Sequence, residues 1–109
     1  MDPMIDRLKG MLAKGQDNLL LRYTLGKACA ESEDHAAAVE HLRAALRFDP
    51  GYSVAWKWLG KALLGLGQRD EARQAWLSGL EAAQARGDAQ VVKELQVFLR
   101  RLEREAGQG

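Results

Sequence analysis

The sequence predicts an all-α fold in which helical hairpins stack into a solenoid of about six helices, closed at the C-terminal end by a capping helix. The main observation is an internal repeat: the tetrapeptide LGKA occurs at residues 25–28 and again, 34 residues later, at 59–62. This period indicates a helical array, because one short unit cannot bury its apolar face and must stack on its neighbours. Two further observations agree: apolar residues recur at helical spacing in both copies, and each copy carries a glycine at the same position.

The first element, residues 1–16, has the pattern of a second helix in a repeat whose first helix is missing. Its apolar residues align with those of a later helix when the sequence is shifted by 34. They are Met4, Ile5, Leu8, Met11 and Leu12, opposite Ala38, Val39, Leu42, Ala45 and Leu46. Asp2 is the expected N-cap, Pro3 the first helical residue and Gly15 the stop signal. This N-terminal half repeat should cover one end of the stack.

The two complete repeats are residues 17–50 and 51–86. In the first helix of each, apolar residues lie at i, i+4 and i+8, which provides one face for burial. They are Leu21, Leu25 and Cys29 in one repeat and Ala55, Leu59 and Leu63 in the other. Gly26 and Gly60 stand inside these helices, where glycine costs about 1 kcal/mol relative to alanine. We expect close approach of the partner helix to offset that cost, since its facing positions are alanine or glycine.

The last element, residues 87–109, is predicted to be a capping helix with a frayed tail at 106–109. Its apolar residues share one face at i, i+4, i+7 and i+11. They are Val91, Leu95, Phe98 and Leu102. An aspartate after Gly87 is a helix-start signal. Gln96 falls where the earlier helices have Gly26 and Gly60, which removes the close-packing site for a following helix. This helix should therefore end the array.

These positions resemble the tetratricopeptide repeat (TPR) family, whose units are two antiparallel helices in a 34-residue period. The second copy carries the family pattern as Trp56, Leu59, Gly60, Leu63, Ala72, Trp76 and Gly79, and the first as Arg22, Leu25, Gly26, Cys29, Ala38, Leu42, Ala45 and Pro50. Two residues depart from it: Arg22 replaces a bulky aromatic residue, whose packing we expect Leu21 and Tyr23 to share, and Gln84 replaces the closing proline. The resemblance implies a right-handed solenoid, a single domain over residues 1–109, and a protein-interaction module.

Composition limits the number of domains, the cellular compartment and the classes of partner. The chain has 109 residues and 47% hydrophobic content, as expected for one globular domain. No apolar run is long enough to span a membrane, and residues 1–15 lack the apolar core of a signal peptide. The single cysteine cannot form an internal disulfide, which fits a reducing compartment. We therefore expect a cytoplasmic protein without a membrane partner. The formal net charge of +1 gives no general attraction to nucleic acid.

Motifs argue against an enzyme. His35 and His41 lie about 240° apart around a helix and cannot bind one metal ion together. Cys29 shares its stripe with leucines and is expected to be an inert core thiol. The Gly-Lys dipeptides at 26–27 and 60–61 lack the second glycine and the Ser or Thr of a phosphate loop. We expect no catalytic residue, no metal and no cofactor.

In TPR proteins the first helices of successive repeats line a concave groove that binds the partner. Carried onto this chain, the groove positions are Leu20, Tyr23 and Lys27 from one helix and Val54, Lys57, Lys61 and Leu64 from the next. Within each helix they lie three or four residues apart and so share a face. Three lysines and a tyrosine among apolar residues suit an extended or helical peptide with carboxylates. The expected function is noncatalytic binding of such an acidic protein or peptide segment by an adaptor, assembly factor or co-chaperone.

Several alternatives stay open. In one alternative the three lysines are solvated and bind no ligand. In another they bind single-stranded nucleic acid, with Tyr23 or Trp58 for stacking. The low net charge of the chain disfavours binding of nucleic acid. Trp58 is either a half-buried anchor between repeats or a partner contact, since tryptophan is enriched at binding hot spots. A self-associating scaffold subunit would form a homo-oligomer through its end helices. A lysine–asparagine clamp for a chaperone C-terminus is unsupported, because Asn18 is the only asparagine.

Overall fold

The structure, a computed structural model, describes residues 2–108, with side chains described for 2–107. These residues form six α-helices: α1 (Pro3–Ala13), α2 (Leu19–Glu31), α3 (His35–Phe48), α4 (Ser53–Gly65), α5 (Arg69–Arg86) and α6 (Ala89–Gln108). Within the described part of the chain there is no strand. The predicted all-α solenoid of helical hairpins is confirmed. The predicted fraying is not observed before Gln108, where α6 ends, and Gly109 lies outside the described residues.

Side-chain caps and glycines with positive φ mark the helix ends. Asp2, Asn18 and Asp34 each accept a hydrogen bond from a backbone N–H two or three residues later, at 2.9, 2.9 and 3.4 Å. Such side-chain caps satisfy N–H groups that have no partner inside the helix. Gly15 and Gly87 follow α1 and α5 with φ values of 88° and 72°, a left-handed conformation that favours glycine. The predicted cap Asp2 and the stop at Gly15 are confirmed.

The helices pair into two hairpins, α2 with α3 and α4 with α5, each with a glycine at the contact. A Cβ atom added to Gly26 would lie 2.6 Å from Cγ of Leu42. One added to Gly60 would overlap the indole ring of Trp76. Since real Cβ atoms do not approach neighbours this closely, only glycine fits at either position without rearrangement. The prediction that these glycines allow close helix approach is confirmed.

The two ends of the stack are covered unequally. Helix α1 packs three of its apolar residues against the main core, Ile5, Leu8 and Leu12, but buries none of them fully. Met4 and Met11 stay exposed. Helix α6 instead buries Val91, Leu95 and Leu102 in a second core cluster with Trp76 of α5. The half repeat therefore covers its end only in part, whereas α6 closes the other end.

The first helices of the two repeats, α2 and α4, lie closer together than the second helices, α3 and α5. Helix α4 contacts both α2 and α6, so α6 takes the place of a third first helix. No Cα atom of α3 lies within 8 Å of one in α5, both helices being fully described. The first helices thus line the tighter, concave side of the solenoid, and the second helices diverge on the convex side. Each side carries a groove.

Candidate peptide-binding groove

Trp58 lies at the centre of the concave groove. It is half-buried against the core, and the Nζ atoms of Lys27, Lys57 and Lys61 lie 5.6, 5.8 and 4.6 Å from the centroid of its ring. Attraction between an ammonium group and an aromatic face is worth about 0.5–1 kcal/mol at exposed sites, so the ring holds the lysines near it. The structure therefore brings the three predicted lysines together. The half-buried anchor expected of Trp58 is observed, and its contact with a partner stays a prediction.

Lys57 is already paired inside the chain. Its Nζ atom lies 3.2 Å from Oε2 of Glu94 on α6, and the two side chains are only 15% and 31% exposed. The capping helix thus supplies a carboxylate to Lys57, and the expected contact of Lys57 with a partner stays a prediction. The repeat pattern does not indicate Glu94, since α6 aligns with the earlier first helices only after a shift of about two residues.

Lys61 lies between two aromatic rings, with Nζ 4.6 Å from the centroid of Trp58 and 5.2 Å from that of Phe98. It lines a cavity of about 390 Å³, a size that suits one large side chain of a partner. Among the described side chains no carboxylate oxygen lies within 4 Å of Lys61, and the acid at the cavity rim, Glu105, pairs with Arg69 at 3.2 Å. The cavity thus combines a largely apolar lining with a few charged or polar side chains, among them His35, Arg101 and Lys61, and Lys61 pairs with no described carboxylate.

The remaining predicted groove residues divide into open and covered positions. Leu20 is 67% exposed at the start of α2. Tyr23 is half-buried and packs edge-to-face on Tyr52, with 5.1 Å between ring centroids, and burial raises the pKa of its phenol. Val54 is half-buried and packs on the second core cluster, and its expected place in the groove stays a prediction. Leu64 packs on both core clusters and also lines the Lys61 cavity.

Comparison with known proteins identifies the repeat. The family described as tetratricopeptide repeat matches residues 30–94. The chain belongs to the tetratricopeptide repeat family. It is 50% identical over 101 residues to the TPR repeat-containing protein PA0015 of Pseudomonas aeruginosa, an alignment that covers 93% of this chain and 96% of that protein. The solution structure of protein BPP2914 from Bordetella parapertussis is also similar, with 70% identity and a TM-score of 0.84, over 96% of this chain and 91% of the other.

Family membership supports a general function. TPR proteins are in general noncatalytic modules for protein interaction, and membership of the family supports a protein-interaction module here. In the part of the chain that is described, no helix combines the length and apolar content that a membrane span needs.

This TPR protein departs from its family pattern at Arg22, and the structure shows what replaces the aromatic residue. Arg22 donates to both carboxylate oxygens of Asp17 at 2.8 and 3.1 Å, and to Nδ1 of His41 at 3.0 Å. A guanidinium group can only donate, so Nδ1 of His41 accepts and the imidazole is neutral. Burial lowers the pKa of His41, which agrees with this state. Arg22 therefore makes polar contacts where the family has an aromatic ring, next to the buried Leu21 and the half-buried Tyr23, and His41 is a buried residue.

The sequence contains a weak signal of this network. Arg22 and His41 align with Trp56 and Ala75 of the second repeat. The two residues that contact each other thus differ together between the repeats. This is expected when a large ring beside a small residue is exchanged for two polar side chains of medium size.

Proposed function

We propose that this TPR protein is a noncatalytic adaptor that binds a segment of a partner protein in its concave groove, with Lys61 as the charged anchor. The position of Lys61 supports this most directly. Its ammonium group lies against two aromatic rings at the mouth of a cavity, and no described carboxylate neutralises it. Lys61 is exposed and is attracted to the two rings while its charge stays in solvent, so the ammonium group is accessible to a carboxylate of a ligand.

The groove favours a segment in which an acidic residue stands beside a large apolar one. A carboxylate would pair with Lys61, while the Nζ atom of Lys27 lies 5.6 Å from the centroid of the same Trp58 ring. The apolar side chain would enter the cavity between Trp58 and Phe98. Affinity should fall with salt without vanishing, because the charges steer the ligand and the apolar contact is not screened.

Single-stranded nucleic acid is the rival ligand, since Trp58 offers a stacking surface beside lysines. The pairing of Lys57 with Glu94 weakens this alternative, because it removes one phosphate contact and places an acid in the groove. We place the adaptor in the cytoplasm, in accordance with the unpaired and buried Cys29.

Binding assays with labelled ligands test the proposal. The ligands are a peptide with glutamates flanking leucine, the same peptide with glutamines, and a single-stranded oligonucleotide, each at low and moderate salt. The protein is used as wild type, as Lys61→Gln, and as Lys9→Gln, a matched control that removes the same charge from an exposed position on α1.

We expect the glutamate peptide to bind wild type and Lys9→Gln equally, and Lys61→Gln roughly fivefold or more weakly, as for loss of about 1 kcal/mol. The glutamine peptide should bind weakly throughout. Binding of the oligonucleotide alone, with a steep salt dependence, would contradict the proposal. Equal losses in Lys61→Gln and Lys9→Gln would show that the effect is general charge and not the groove.

A further inference from the structure

A second groove lies on the convex side, between α3 and α5, and shares no lining residue with the Lys61 cavity. It encloses about 650 Å³. Leu59 and Leu63 of α4, one helical turn apart, form its floor, with Leu46 on one side and Ala75 on the other. The groove exists because α3 and α5 diverge above α4. Apolar channels of this kind are preferred sites of partner binding.

The two walls of the convex groove carry opposite charges. Arg43 and Arg47 stand four residues apart on α3 and therefore on one face. Asp70 and Glu71 face them from the first turn of α5. One ion pair crosses the groove, Arg43 to Glu71 at 3.1 Å, with side chains 51% and 56% exposed. An exposed pair of this kind contributes little stability, so a ligand can exchange it for contacts of its own.

We propose that the convex groove docks an amphipathic helix of a partner protein that is acidic along one flank and basic along the other. Residues four apart on a helix share a face, which matches the spacing of Leu59 and Leu63. A helix with acids on both flanks would meet Asp70 and Glu71, and one with bases on both would meet the arginines of α3. Only a helix with one acidic and one basic flank can pair with opposite charges on both walls. Because reversal of the helix would exchange its flanks, the charges also set the direction in which it binds.

Three designed helical peptides with the same apolar stripe test this: one with mixed flanks, one with only glutamate and one with only lysine. They are titrated into the isotopically labelled full chain at low salt and followed by NMR. The indole N–H of Trp56 reports on the convex groove, because Trp56 lines it and donates to the carbonyl of Pro50 at 2.7 Å. The indole of Trp58 reports on the concave side. We expect the mixed peptide to bind at least about fivefold tighter than either other peptide and to shift Trp56.

A charge reversal in the protein sharpens the test. Arg43→Glu/Arg47→Glu makes both walls acidic, so the lysine peptide should become the preferred ligand. Arg100→Glu/Arg104→Glu on α6 is the matched control, since these arginines have the same spacing, are exposed, and lie outside both grooves. This control should keep the preference for mixed flanks.

Four results would overturn the proposal. The first two are equal affinity for the three peptides and shifts at Trp58 in place of Trp56. The third is an unchanged peptide preference in Arg43→Glu/Arg47→Glu. The fourth is self-association of the wild-type protein in sedimentation that Arg43→Glu/Arg47→Glu abolishes, which would make the occupant a second copy. Failure of the concave-groove proposal leaves these measurements unaffected, because the ligands, the variants and the reporter indole differ.

Discussion

Replacement of Gly60 by alanine tests the close contact between α4 and α5. The added methyl group would overlap the ring of Trp76, which is buried and donates its indole N–H to the carbonyl of Lys57 at 3.0 Å. The same ring packs on Phe98 of α6, with 5.3 Å between ring centroids. Displacement of Trp76 would therefore disturb the contacts of three helices at once.

The expected magnitude combines three contributions. Alanine is favoured over glycine inside a helix by about 1 kcal/mol. Overpacking of a filled core costs about 1–3 kcal/mol. Loss of the indole hydrogen bond costs about 1 kcal/mol. We therefore expect Gly60→Ala to lower the free energy of unfolding by roughly 1–3 kcal/mol, against the direction that helix propensity alone would give.

Urea unfolding followed by far-ultraviolet circular dichroism measures this change. Gly10→Ala in α1 is the matched control, because a Cβ atom there would have no neighbour within 4 Å, so its midpoint should stay the same or rise. Trp76→Ala in the Gly60→Ala background should remove the overlapping ring and make the two substitutions less than additive. A Gly60→Ala protein at least as stable as wild type would refute the close-contact reasoning.

Three further predictions concern the polar network and the capping helix. Burial lowers the pKa of His41 below its ordinary 6.5, so stability should fall as the pH drops below that value. Unfolding measured near pH 7 and near pH 5 should show a smaller loss for His41→Gln than for wild type, and equal losses would contradict this. Glu94→Gln should release Lys57 and increase the affinity for the glutamate peptide in fluorescence anisotropy; unchanged affinity would exclude Lys57 from binding. Deletion of residues 88–109 should expose Trp76 and cause aggregation or partial unfolding in light scattering and calorimetry, whereas a monomer with unchanged Tm would speak against a capping role.

The fold could be predicted from the sequence because it depends on local and repeated signals. Gly26 and Gly60 occur at the same place in two copies, and a glycine inside a helix indicates close packing at that point. The caps Asp2 and Asn18 are equally local. The partial cover given by α1 was less predictable, since Met4 occupies a position at which the complete repeats have alanine and so stays outside the core.

The site could be predicted only in part. The resemblance to the TPR family selected Lys27 and Lys61, because both stand at its groove-lining positions on first helices. It did not select Glu94 or Phe98, which come from a helix outside the 34-residue register, and their contacts depend on how α6 packs. The convex groove left no sequence signal, since it arises from the divergence of α3 and α5 and not from a motif.

Titration of the labelled chain with the glutamate peptide, followed by NMR, most directly tests the claim that the concave groove carries binding. The indole N–H of Trp58 lies on the concave side and that of Trp56 beside the convex groove, so one spectrum separates the two surfaces. The account predicts saturable shifts at Trp58, Lys61 and Phe98, with Trp56 unchanged. Shifts confined to Trp56, or to the exposed face of α1 around Met11, would contradict it and place binding on the convex side or at the end of the stack.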